Sequence, residues 1–166
     1  MKIKFLLPLA CIAMFVACNN SSDKKEKKED SAMNNMDHPM PPPGANVPDL
    51  PAVPEGAKVV FKNLKDGATI SSPFKLEMGT EVIKVDTAGP VIAGIGHHHL
   101  FIDGEDSLAA GTVVPKDSTH IHFGKGQTEY ELKLSPGKHK LTLQMADGLH
   151  RSYGGRLAAT ITVNVK

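Results

Sequence analysis

From Ala57 onward, apolar and polar residues alternate with a period of two. Val59 and Phe61 alternate with Lys58, Val60 and Lys62, and Phe74, Leu76 and Met78 with Lys75 and Glu77. Tyr130, Leu132 and Leu134 alternate with Glu129, Glu131 and Lys133, and Leu141, Leu143 and Met145 with Lys140, Thr142 and Gln144. Last come Leu157, Ala159, Ile161, Val163 and Val165, interleaved with Thr160, Thr162 and Asn164. Successive side chains of a strand point to opposite faces, so the pattern predicts half-buried strands. Turn signals at Asp66-Gly67, Ser72-Pro73, Ser135-Pro136-Gly137, Asp147-Gly148 and Gly154-Gly155 separate the runs. With two histidine-bearing segments, about seven strands result. Each has one apolar face that a second layer must cover, and an all-β, antiparallel sandwich of immunoglobulin type meets that need. No segment of this region has a helical period.

The patterned region, residues 55–166, is expected to form one domain. Residues 1–17 read differently. Lys2 and Lys4 precede an apolar run from Phe5 to Ala17 that is short for a bilayer span, as in a signal peptide. Phe15-Val16-Ala17-Cys18 resembles the lipobox of bacterial lipoproteins, although Phe15 stands where Leu is usual. That resemblance implies a lipidated Cys18, and with it a membrane-anchored protein of the cell envelope, on the outer membrane and facing the periplasm. Residues 18–54 are expected to be a disordered tether. A mixed charge run from Asp23 to Asp30 leads into Pro39, Pro41, Pro42, Pro43, Pro48, Pro51 and Pro54, which exclude regular helix or central strand.

Composition narrows the chemistry. With 19 basic and 18 acidic residues, the net charge of +1 gives no reason to expect a nucleic-acid partner. The two cysteines are Cys11 and Cys18, so the folded region has no thiol. It therefore has no disulfide, no thiolate metal site and no cysteine nucleophile. Metal chemistry there must use His, Met or carboxylate ligands.

Seven of the eight histidines fall in the domain, and five cluster in Gly96-His97-His98-His99-Leu100-Phe101-Ile102-Asp103 and in His120-Ile121-His122-Phe123-Gly124. Read as strands, the first turns His97 and His99 away from the aliphatic face of His98, Leu100 and Ile102. The second turns His120 and His122 away from Ile121 and Phe123. His-x-His pairs on one face stand about 6.6–7 Å apart at their Cα atoms. From there two imidazoles can meet one ion at about 2.0–2.1 Å. If the strands are neighbours, His97, His99, His120 and His122 surround one site, and one cross-pair of nitrogens approaches to roughly 3–4 Å. Asp103, Gln127, Glu129 and His150 are further ligands or acceptors for the imidazole N–H groups. His98 reads as a buried core residue with its polar atoms satisfied, and His139 as surface decoration. In the tether, Met33, Met36, His38 and Met40 form a second constellation. Thioether sulfur selects Cu(I) and imidazole suits Cu(II), so copper is favoured and zinc is the alternative. Gly124-Lys125-Gly126 lacks the strand–loop–helix context of a phosphate loop.

The ordered set Gly96-His97-His98-His99-Leu100, His120-Ile121-His122-Phe123-Gly124-x-Gly126-Gln127-Thr128-Glu129 and Leu132-x-Leu134-x-Pro136-Gly137-x-His139, followed by His150, resembles an uncharacterised family of secreted bacterial domains of unknown function. The resemblance covers about residues 54–166 and implies a domain extent and an envelope location, with no activity attached. The tether's Met-x-x-Met-Asp-His-x-Met is similar to Met/His-rich segments of envelope copper-resistance proteins. Three functions compete at this level. One is a metal-binding envelope module for buffering or delivery. Another is an adhesion or assembly module that engages an envelope protein partner and uses its histidines to organise loops. The third is an enzyme, for which no nucleophile motif or paired carboxylates can be identified.

Overall fold

In the computed structural model, which describes residues 46–166, the alternating runs become strands. They are β1 (Lys58–Phe61), β2 (Ala68–Ile70), β3 (Phe74–Glu81), β4 (Lys84–Val85), β5 (Ile95–Ile102), β6 (His120–His122), β7 (Glu129–Leu132), β8 (Gly137–Ala146) and β9 (Ala158–Val165). A single 3-10 turn, Gly155–Leu157, leads into β9. Among the described residues there is no α-helix, and so no helix long and apolar enough to cross a membrane. The signal segment, Cys18 and the tether residues Met33, Met36, His38 and Met40 lie outside the described residues.

Two sheets form a β-sandwich. One has three strands in the order β1-β3-β7, and the other has six, β2-β9-β8-β5-β4 with β6 also paired to β5. Leu76, Met78 and Leu132 from the first sheet pack with Leu100, Leu141, Leu143, Met145, Val163 and Val165 from the second in one buried cluster. Nine strands stand where about seven were expected. The pairing is also mixed, because β2 runs parallel to β9 and β4 parallel to β5. Strands of two or three residues are too short to display an alternation, which is why β2 and β4 leave no periodic trace.

The outer face of β5 and β8 is covered rather than solvated. Residues 103–119, between β5 and β6, fold back over it. Phe101, Val114 and Ala146 form a second buried cluster there, with Leu108 packed against it. Polar anchors fasten this cover. The Leu108 amide donates to Gln144 Oε1 (3.2 Å), Ser152 Oγ donates to the Leu108 carbonyl (3.1 Å), and Thr160 Oγ1 donates to the Asp106 carbonyl (3.2 Å). At the N-terminal side, the end of the expected tether lies on the domain. Leu50 and Val53 pack on the main core, and Arg151 Nη1 donates to the Pro48 carbonyl (2.8 Å).

Candidate metal centre

Strand register assembles the histidines. In the pairing of β5 with β6, His99 stands opposite His122, Leu100 opposite Ile121 and Phe101 opposite His120. In the pairing of β5 with β8, His97 faces Ala146, His98 faces Met145 and His99 faces Gln144. A register slip of one residue would exchange the two faces, so the aliphatic set fixes where the imidazoles point. His97 and His99 are buried at 0% and 2% exposure, while His122 and His150 are half-buried.

Four rings gather. His97 Nε2 and His99 Nε2 approach to 3.0 Å. Ring centroids are 5.0 Å apart for His97–His122, 5.1 Å for His97–His150 and 4.7 Å for His122–His150. His99 lies 5.0 Å from His122 and 6.1 Å from His150. One nitrogen from each of His97, His122 and His150 falls within 4.8 Å of the others, so these three are the convergent donors. Nitrogens sharing an ion at about 2.0–2.1 Å are separated by about 2.9–3.4 Å, so a small inward tilt would bring the three onto one centre.

His150 reaches the cluster through a tight turn that the sequence shows only as Asp147-Gly148. The Asp147 carboxylate accepts the amides of Leu149 and Arg151, both at 2.9 Å, and the Asp147 carbonyl accepts the His150 amide at 2.9 Å. Arg151 Nε closes the turn on the same carboxylate at 2.8 Å. These bonds hold His150 at φ 64°, in the left-handed region that few non-glycine residues enter and that histidine tolerates better than most. At Gly148 a Cβ would lie 2.3 Å from the carbonyl oxygens of Gly89 and Pro90, so only glycine fits where the turn meets that loop. Gly124 plays a similar part for His122, since a Cβ there would lie 2.3 Å from the ring Cε1.

Burial and neighbouring charge keep the His99 ring neutral. Burial, followed by the neighbouring imidazoles His97, His122, His150 and His120, holds the pKa of His99 well below its ordinary value. A neutral imidazole has the lone pair that a metal requires.

His120 departs from the expected set. It shares the outer face, but its Nδ1 contacts Asp117 Oδ1 (2.8 Å), its Nε2 contacts Glu105 Oε2 (3.3 Å), and its ring packs on Phe101 at 4.6 Å. Both nitrogens are occupied in fastening the covering loop, and the imidazole lowers the pKa of Asp117 through their hydrogen bond. The other expected accessories also have separate partners. Asp103 Oδ2 holds His139 Nδ1 at 2.8 Å, and this bond raises the pKa of His139. Glu129 pairs with Lys75 at 2.9 Å, and Gln127 Oε1 accepts the Lys125 amide at 2.8 Å. His98 faces the core, as its alternation requires.

No curated protein and no solved structure matches this chain. The family model described as Domain of unknown function (DUF4399) matches residues 76–166, from within β3 through β9. That span contains His97, His99, His122 and His150, together with the Asp147 turn that presents the last of them. The chain belongs to the DUF4399 family.

Proposed function

We propose that this protein is a lipid-anchored envelope module that binds one transition-metal ion through His97, His122 and His150, for buffering or delivery. The observation that carries the reading is the convergence of three imidazole nitrogens, drawn from β5, β6 and the turn after β8, within 4.8 Å. His99 is not among these three convergent donors, and its Nε2 contact with His97 Nε2 at 3.0 Å steadies the His97 ring. Imidazole donors suit copper and zinc alike. Copper is favoured because Met33, Met36, His38 and Met40 add soft thioether donors on the segment that Cys18 would anchor.

Calorimetric titration with Cu(II) and with Zn(II) tests the reading. The expected result is one equivalent bound at a site that the combined His97→Ala, His122→Ala and His150→Ala variant lacks. Equal binding by the variant and the parent would sink the assignment. His99→Ala should keep the stoichiometry and weaken affinity by about 10- to 100-fold, the usual cost of losing an outer partner of a ligand.

A further inference from the structure

We propose that an ion held by His97, His122 and His150 takes a small exogenous anion as its remaining ligand, on the side where His122 and His150 approach the surface. This rests on the metal reading above and names what that site would bind besides the metal.

The number of converging donors is the first support. Three imidazole nitrogens converge within 4.8 Å, and His99, whose ring is 5.0 Å from that of His122 but 6.1 Å from that of His150, is not one of them and has its close contact with His97 Nε2. An ion held tetrahedrally by three protein ligands keeps a fourth position for a ligand from solution.

Charge is the second. The convergent group contains histidines alone. Each ligates as a neutral ring, so a divalent ion would keep its full charge in a largely buried site. Asp147, close to His150 in sequence, is committed elsewhere. One carboxylate oxygen accepts the amides of Leu149 and Arg151, and the other is held by the Arg151 guanidinium. A buried charge without a counter-charge is costly. A monoanion bound directly to the metal offsets that cost without any protein carboxylate.

Access is the third. His97 and His99 are sealed at 0% and 2% exposure, whereas His122 and His150 are half-buried, so a ligand reaches the ion past the latter pair. The ligand class is a compact monoanion: hydroxide at rest, with azide or halide as substitutes.

The test uses the full chain loaded with one equivalent of Cu(II), titrated with sodium azide and followed by absorption. The expected result is an azide-to-copper charge-transfer band that saturates at one azide per copper. The combined His97→Ala, His122→Ala and His150→Ala variant, exposed to the same copper, is the blank for metal bound on the tether. His99→Ala, given enough copper to saturate its weakened site, should still show the band at one azide per bound copper. Copper bound with histidine dependence but no azide band would overturn the inference and leave the metal site standing. A band that arises only in His99→Ala would also overturn it, because His99 would then fill the fourth position. Failure of copper to bind at all would remove both the site and its anion.

Discussion

His98 stands between two cluster residues in sequence, yet it belongs to the core, with Met145 opposite it on β8. Neither of its ring nitrogens has a hydrogen-bond partner, and burial pushes its pKa down to about 4. An unsatisfied buried polar group costs about 1–3 kcal/mol, so His98→Leu should raise stability by about that amount in urea denaturation. An unchanged or lower midpoint would refute this. The pH dependence has a definite sign. In the unfolded chain the ring protonates near 6.5, while in the fold it resists until about 4. Stability is therefore complete above pH 6.5 and falls as pH drops from 6.5 towards 4, by about 3 kcal/mol for this residue. His98→Leu should flatten that slope by the same amount. The alternation of β5 was enough to place His98 in the core. The expectation that its ring would be satisfied fails, because satisfaction depends on which groups of the opposite sheet face it, and neither nitrogen meets one.

At the scale of elements, legibility followed strand length. β5, β8 and β9 run for eight to ten residues, long enough for apolar periodicity to fix both existence and facing. β6 has three residues, and its register came from Ile121 and Phe123 flanking His122. The diversion of His120 was hidden because Glu105 and Asp117 lie in an irregular loop whose path no periodicity encodes. The way β6 ends suggests a direct test. The His122 ring lies against Gly124, where a Cβ would come 2.3 Å from Cε1. Gly124→Ala must turn that imidazole out of place. Displacing one of three ligands by a fraction of an ångström should cost at least about tenfold in metal affinity, since binding constellations tolerate about 0.5 Å of error. Calorimetry on the variant reads this directly, and parent-like affinity would show that His122 is not a ligand.

Taken whole, the molecule extends slightly beyond its strands. Leu50 and Val53 pack on the core, and the Pro48 carbonyl ties the same segment to Arg151, the residue that closes the turn under His150. A chain beginning at Gly56 should lose about 1–3 kcal/mol from those two half-buried side chains. Its thermal midpoint should fall by several degrees, and identical melting would show that the segment contributes nothing. The sandwich and its main core were visible in sequence. The cover over the histidine face was not, because residues 103–119 present few apolar anchors and fasten themselves through scattered polar bonds. The placement of β9 has one more consequence. This C-terminal strand of the domain lies between β2 and β8 inside the six-stranded sheet, and the Lys166 amide donates to the Ile70 carbonyl at 3.0 Å. Pairings between such distant parts of a chain form late and slowly. Until β9 is in place, β2 has no partner in that sheet and β8 keeps an open edge, so the six-stranded layer is closed only by this one late pairing.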